Sequence, residues 1–224
     1  MNPKASNMDH LEEIAERVRA EFDTITEARD QTLTKARTLT RHCAHAIRAV
    51  HREDHDKVEL ELGEARKLAE SLTSVLVKQH PNLYFTGYTQ DALKEFAEAN
   101  IVAALVTGKP LPTPEDLGLE VATYLKGLAE TIGELRRRCL DILRGGHSQE
   151  AEVLLNHMDE IYLVLVTIDY PDAVTMGLRR LTDISRGIVE RTRGDITLSL
   201  RQQRLEQTIL KAEENLQIVN GDEA

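Results

Sequence analysis

Apolar residues recur along most of the chain at spacings of three and four, the periodicity of amphipathic helices. The first such segment starts near Asn7 or Asp9 and continues for over forty residues without Gly or Pro, longer than an ordinary globular helix. A second segment begins after Asp54, whose side chain can cap a first helical turn, and runs to about Gln79. The pattern therefore predicts two helices at the start of the chain, the first of them unusually long.

Glycine and proline divide the middle of the chain into two further helices. Pro81 and Gly87 interrupt the pattern, after which Thr89 can cap a third helix that ends near Gly108. Thr113 is followed by proline and two acidic residues, which is a strong helix start, and this fourth helix ends at the glycines of "RGG". A proline-rich loop is expected to join the two helices.

The remaining sequence is also helical in pattern. Ser148 can open a fifth helix that stops at "DYPD", where Pro171 starts another. Helical spacing then continues to about residue 216, with Gly194 as a point where the helix can break. No segment keeps the alternation of a β-strand.

These elements predict an all-α fold, a single-domain antiparallel helical bundle of six or seven helices with a long first helix. The pattern contains no internal repeat and no linker that would mark a domain boundary. We therefore expect residues 1–224 to form one domain, with its core at about 10–205 and a flexible polar tail at 217–224.

Composition narrows the class of protein. The 224 residues carry a formal net charge of −10, which argues against a wholly basic nucleic-acid binder. The cysteines, Cys43 and Cys139, lie far apart in helical patterns and are predicted to be buried hydrophobic residues rather than a disulfide or a metal pair. No signal peptide is visible, and the longest apolar run, residues 161–168, is too short to span a bilayer. We expect a cytoplasmic protein with no membrane partner.

One acidic pair lies on the third predicted helix. In "LKEFAEA", Glu95 and Glu98 are three residues apart, and from Ala99 to Val106 only Asn100 is polar. A helix without a solvent face must be surrounded by protein, so this pair lies at the edge of a buried stretch. A carboxylate in that position needs a cation or a proton.

A second acidic pair lies on the fourth predicted helix. In "GLAETIGELRRRC", Glu130 and Glu134 are four residues apart, on the face opposite an apolar stripe. Gly127 precedes this pair and Gly133 lies within it, although glycine inside a helix costs about 1 kcal/mol relative to alanine. Such glycines indicate the close approach of another backbone or of a ligand.

The four carboxylates have two interpretations. Each pair can belong to a solvated face, with neutralising neighbours at helical spacing on its own helix: Lys94 for Glu98, Lys126 for Glu130, and Arg137 or Arg138 for Glu134. Taken together, the pairs can instead form an all-oxygen site suited to Mg²⁺ or Mn²⁺. Such a cation activates water and stabilises the charge that develops on a phosphodiester.

The histidines offer weaker candidates for a metal site. A di-iron bundle site requires Glu-x-x-His motifs, and none of the eight histidines has Glu three residues before it. His51 and His55, in "HREDH", are spaced four apart and could bind a metal. No third ligand accompanies them, and a solvated helix junction explains them better.

The chain resembles the translin family, whose members are translin and Trax. The resemblance rests on "ARDQTLTKARTL", "LKEFAEA", "GLAETIGELRRRC" and "DYPDAVTMGLRRLTDISRGIVERT", which occur in the expected order within residues 10–205. It implies a helical bundle that assembles into a closed, usually octameric shell, with nucleic acid handled inside. The short chain is similar to the archaeal single-gene form, which implies a homo-oligomer.

The resemblance also implies roles for the acidic residues. Trax-type nuclease sites place a Glu-x-x-Glu pair in a segment like "QEYVEA", and an Asp and a Glu in one like "GVADLTGEL". The matching positions here are Glu95, Glu98, Glu130 and Glu134, which are therefore expected to be catalytic and to hold Mg²⁺ or Mn²⁺. Glu130 takes the Asp position, so the charge is kept on an arm one methylene longer.

A basic stripe follows the later part of the first helix. Arg37, Arg41 and Arg48 share one helical face, where guanidinium groups can bind the phosphates of a nucleic acid. The competing interpretation is that their stems cover apolar surface and their charges pair with acids. Arg37 is the preferred candidate because it lies in a segment that resembles Trax. No aromatic residues are interleaved with the stripe, so we expect little sequence preference.

The leading hypothesis is a Trax-like, metal-dependent endoribonuclease that acts on RNA with single-stranded character. The alternative is a translin-like homo-oligomer that binds RNA or single-stranded DNA without cutting it. A third hypothesis is a purely structural helical assembly in which the acidic residues are surface residues. The presence of all four carboxylates favours the enzyme.

Overall fold

The structure is a computed structural model that describes the backbone of residues 6–221 and the side chains of residues 8 and 10–213. It is all-α in this range, with six long helices and three of a single turn: α1 (Ser6–His51), α2 (His55–Gln79), α3 (Pro81–Tyr84), α4 (Gly87–Thr107), α5 (Pro114–Leu117), α6 (Val121–Leu143), α7 (Gln149–Thr167), α8 (Asp172–Thr175) and α9 (Leu178–Gly221). The predicted all-α fold with a long first helix is confirmed.

Helices α4 and α6 lie at the centre of the packing. Helix α1 packs against α2 and α4, α4 packs against α6, and α6 packs against α7 and α9. Helix α4 is therefore covered on two sides, and the core includes the fully buried side chains of Leu39, Leu93, Phe96, Ile132, Leu135 and Met158. The prediction that the second half of this helix is surrounded by protein is confirmed, since Ile101 and Val102 are 0% exposed.

Three predicted helix starts are correct. The Asp54 side chain accepts a hydrogen bond from the Lys57 backbone N–H, and the Ser148 side chain accepts one from the Glu150 N–H. Thr113 forms a reciprocal capping box with Asp116. The helix that Thr113 starts is only one turn long, however, because Gly118 adopts a left-handed conformation with φ of 65° that ends it.

Two other predicted boundaries are wrong. Helix α4 begins at Gly87, and the buried Thr89 hydroxyl donates to the Leu83 carbonyl instead of capping a helix. Helix α9 passes through Gly194 without a break and continues to Gly221, beyond the predicted end near residue 216. The last three residues of the expected tail lie outside the described part of the chain.

The structure also answers two predictions from composition. Cys43 and Cys139 are free and completely buried, as predicted for small core residues. Within the described residues, no helix combines the length and the hydrophobicity that a bilayer span requires.

Candidate metal centre

Three of the four predicted carboxylates converge between α4 and α6. Glu95 and Glu98 come from α4, Glu130 comes from α6, and each offers a carboxylate oxygen within 4.8 Å of those of the other two. We call these three residues the acidic cluster. Oxygen-only donor sets of this kind suit Mg²⁺ and Mn²⁺. The acidic cluster can therefore hold a metal ion.

Gly127 allows the two helices to come this close. A Cβ atom at Gly127 would lie 2.6 Å from the Ala97 Cβ, 2.8 Å from the Lys94 carbonyl oxygen and 3.0 Å from the Glu98 nitrogen. These distances leave no space for a side chain, so the backbone of α6 rests directly on α4. Because Glu130 follows Gly127 by three residues, the same contact brings its carboxylate to the α4 pair. The prediction of close backbone approach is confirmed for Gly127, whereas a Cβ at Gly133 would meet nothing within 4 Å in the described chain.

Gly127→Ala is expected to lower the free energy of unfolding by about 1–3 kcal/mol, because the added methyl group forces α6 away from α4. Gly133→Ala is the matched control on the same helix. It meets open space and should stabilise the chain by up to about 1 kcal/mol through helix propensity. Urea unfolding of both variants measures the difference. Equal stability of the two variants would contradict the proposed role of the close contact.

Glu98 is the most buried member of the acidic cluster, with 7% of the residue exposed. Burial raises the pKa of its carboxyl group to about 8, and the charges of Glu95 and Glu130 contribute in the same direction. Near neutral pH this group keeps a proton unless a cation replaces it. A solvated helix face is therefore the wrong interpretation for Glu98.

Lys94 lies against the other two members of the cluster. Its Nζ is 2.5 Å from Oε2 of Glu130 and 3.3 Å from Oε1 of Glu95, and its side chain is only 13% exposed. Burial opposes the charge on the ammonium group, but the hydrogen bond to Glu130 and the two carboxylate charges outweigh it and raise the pKa of Lys94. Lys94 thus pairs with Glu130 rather than Glu98, and the predicted pair between Lys126 and Glu130 is not formed in the described structure.

Glu134 lies outside the acidic cluster. Its Oε2 is 2.7 Å from Nε2 of His51 on α1 and 3.8 Å from Nη1 of Arg137. The hydrogen bond with His51, working against burial, lowers the pKa of Glu134. The negative charge of Glu134 nevertheless contributes to the raised pKa of Glu98. Of the four carboxylates that the sequence pattern groups together, three converge and the fourth pairs with a histidine.

His51 is a site residue, although the sequence pattern favours a solvated helix junction for it. That expectation is wrong, because the His51 side chain is 6% exposed and its Nδ1 is buried without a hydrogen-bonding partner in the described structure. His55, four residues later, is exposed as expected. A signal was present in the sequence, since His51 follows Ile47 by four residues and therefore continues the apolar face of α1.

The predicted basic stripe lies on the surface of α1. Arg37, Arg41 and Arg48 are exposed, and none forms an ion pair with a carboxylate of the described residues. Arg48 lies one turn before His51, which contacts Glu134. Arg48 also lines a cavity of about 160 Å³, whose other charged or titratable lining residues are His45, Arg52, Asp54 and Lys57.

Arg138 shows the contrasting behaviour of a structural arginine. Its side chain is 11% exposed, and its Nη2 lies 2.6 Å from Glu53 and 2.8 Å from Glu150. It also donates from Nη1 to the His51 carbonyl oxygen, so it joins the end of α1 to α6 and α7. Arg138 therefore pairs with acids other than the predicted Glu134, and the three arginines of the stripe remain available for an external anion.

The chain is an all-α bundle with a carboxylate cluster between its two central helices, and comparison with known proteins gives its family. No protein-family model matches the chain. A protein of Methanocaldococcus jannaschii is 32% identical over 187 residues, which are 83% of this chain and 82% of that protein. The crystal structure of AfC3PO, from Archaeoglobus, is 32% identical with a TM-score of 0.77, over 85% of this chain and 98% of that chain.

Two further solved structures share the fold. The AfC3PO complex with duplex RNA is 31% identical with a TM-score of 0.75, over 85% of this chain and 97% of that chain. Apo-NeC3PO, from Nematostella, has the same TM-score at 22% identity, over 82% and 96% of the two chains, and shows the likeness of fold alone. The chain belongs to the translin family, as its motifs predict, and its structural neighbours are C3PO proteins of the translin/Trax type.

Proposed function

We propose that the chain is a Trax-like, metal-dependent endoribonuclease that acts on RNA with single-stranded character. The observation that carries this proposal is the acidic cluster, in which the buried Glu98 faces two further carboxylates. The related AfC3PO was solved in complex with duplex RNA, which supports RNA as the ligand of this chain. The acidic cluster thus supports a metal-dependent reaction, and the complex of the relative supports RNA as the nucleic acid that is bound.

The acidic cluster fits a divalent cation. Glu95, Glu98 and Glu130 would hold Mg²⁺ or Mn²⁺ through carboxylate oxygens, and Glu134, held by His51, is the fourth carboxylate of the proposed site. When bound, the cation supplies an activated water and stabilises the charge that develops on the phosphodiester. Because Glu98 is buried, water solvates its carboxylate only weakly. A cation bound beside this carboxylate would supply the compensation that water does not.

The basic stripe is proposed to bind the phosphates of the RNA. Arg37, Arg41 and Arg48 are exposed and have no carboxylate partner in the described chain, so binding a phosphate breaks no ion pair. Each phosphate contact releases condensed counterions and makes the affinity depend on salt. The stripe should therefore position the strand without reading its bases.

Replacing Arg37, Arg41 and Arg48 together by Gln is expected to weaken RNA binding and to reduce the slope of log affinity against log salt by about 2 to 3. The matched control replaces Arg179, Arg186 and Arg193, which already pair with Asp169, Glu190 and Asp159. It removes the same formal charge. Fluorescence anisotropy with a labelled single-stranded RNA over a salt series measures both variants. Equal slopes for the two triple variants would rule out a specific role for the stripe.

We further propose a homo-oligomer, with the octamer implied by the family resemblance. Large apolar side chains are exposed on three helices: Phe22 on α1, Leu163, Val164 and Val166 on α7, and Leu198 on α9. Packing between copies of the chain would cover exposed apolar side chains of this kind. Light scattering of the purified protein gives the mass, and the mass of a monomer would contradict this part of the proposal.

The proposed activity is tested by incubating a labelled single-stranded RNA with the purified protein in Mg²⁺, in Mn²⁺ and in EDTA. Internal cleavage is expected with either metal, with no products in EDTA and recovery when Mn²⁺ is added in excess. A fully paired duplex of the same sequence is the comparison substrate and should be cut more slowly. Cleavage that continues in EDTA would overturn the metal-dependent mechanism.

The alternative is a non-catalytic, translin-like oligomer that binds RNA or single-stranded DNA. One observation favours it, because Lys94 already compensates the charges of Glu95 and Glu130 without any metal. Binding of RNA with no cleavage in any of the metals would support this alternative.

A further inference from the structure

Lys94 places a positive charge directly against the acidic cluster. Its ammonium group contacts one carboxylate from each helix, Glu95 on α4 and Glu130 on α6. These are two of the three residues that would hold a cation. The same oxygen atoms therefore serve either the ammonium group or a metal ion.

The surroundings of Lys94 make this competition strong. Its side chain is 13% exposed, so solvent compensates little of its charge and the two carboxylates carry most of that task. The carbonyl oxygen of Lys94 faces Gly127, so its backbone is fixed in the contact between the helices. A cation that enters the cluster must displace the ammonium group, whose charge is then less well compensated. This cost reduces the favourable free energy of metal binding.

We propose that Lys94 is an internal counter-ion that competes with the divalent cation for the acidic cluster and so sets its affinity for metal. This inference rests on the proposed function only in requiring that the cluster binds a metal. In the absence of metal, Lys94 holds α4 and α6 together across the cluster. When metal binds, it releases Glu95 and Glu130.

The test is isothermal titration of Mn²⁺ into metal-free protein at one pH and one ionic strength. Lys94→Gln keeps a polar side chain of similar length and removes the charge. This variant should bind Mn²⁺ at least about tenfold more tightly than the unmodified chain. Lys94→Arg keeps the charge and should bind no more tightly than the unmodified chain. Lys126→Gln is the matched control, because Lys126 is half-buried near the cluster on α6 but forms no ion pair in the described structure.

Tighter binding by Lys94→Gln alone supports the inference. Equal or weaker binding by Lys94→Gln, while the unmodified chain does bind Mn²⁺, overturns it and leaves the proposed function intact. If Lys94→Gln does not fold, Lys94→Arg is the deciding variant, because it keeps the positive charge. Tighter binding of Mn²⁺ by Lys94→Arg than by the unmodified chain overturns the inference, and equal or weaker binding supports it. If neither the unmodified chain nor any variant binds Mn²⁺, the proposed metal site and the inference are both wrong.

Discussion

Glu98→Gln is expected to reduce metal-dependent RNA cleavage by at least about 100-fold, more than the loss of any other single side chain described above. Glutamine has nearly the same shape as glutamate, so the packing of α4 against α1 and α6 should be kept. The variant cannot supply the negative charge that a cation in the acidic cluster requires. Single-turnover cleavage at saturating Mn²⁺ measures the effect, and titration of Mn²⁺ shows whether metal binding is lost with it.

The control for this variant is Glu16→Gln, which removes one exposed carboxylate from α1, far along the chain from the acidic cluster. Its cleavage rate should match that of the unmodified chain. Cleavage by Glu98→Gln at the unmodified rate would show that the acidic cluster does not carry the reaction, whatever else the chain does to RNA.

Glu98→Gln is also expected to make the protein more stable than the unmodified chain at alkaline pH. Burial raises the pKa of Glu98 from 4.5 to about 8, so the folded state keeps a proton that the unfolded state loses. The stabilisation from this proton is complete below pH 4.5 and is lost as pH rises through about 8, because the folded state must then bury a charge. The loss amounts to at most about 5 kcal/mol at 1.36 kcal/mol per pKa unit.

Glu98→Gln lacks this titration, so the difference in free energy of unfolding between variant and unmodified chain should grow between pH 4.5 and 8 and then level off. Urea unfolding in EDTA at a series of pH values measures the difference, and Glu16→Gln should follow the unmodified chain throughout. A constant difference across that range would show that Glu98 does not retain its proton in the folded protein.

The helices and the two acidic pairs could be predicted from the sequence because both depend on local spacing. The long first helix follows from the absence of Gly and Pro between residues 4 and 52, and Glu95 and Glu98 share a face because helical spacing dictates it. Gly127 was recognisable as a close contact because glycine is unfavourable inside a helix. The family resemblance added the pairing of the two acidic segments, and the structure brings Glu130 to the α4 pair.

Contacts between helices could not be predicted in the same way. The pairing of His51 with Glu134 joins residues 83 positions apart, and that of Lys94 with Glu130 depends on how deeply α6 settles on α4. Spacing along one helix favoured Lys94 with Glu98, but the tertiary contact places the ammonium group closer to Glu130. The shortened helix after Thr113 has a similar cause, because Gly118 adopts a left-handed conformation that the sequence permits but does not require.

X-ray diffraction at the manganese absorption edge, from crystals grown with Mn²⁺, shows whether the acidic cluster binds a divalent cation. We expect an anomalous peak about 2.1 Å from oxygen atoms of Glu95, Glu98 and Glu130, with the Lys94 ammonium group moved away from it. A cluster without a peak, in which Lys94 keeps its contacts with Glu95 and Glu130, would contradict metal binding at the acidic cluster.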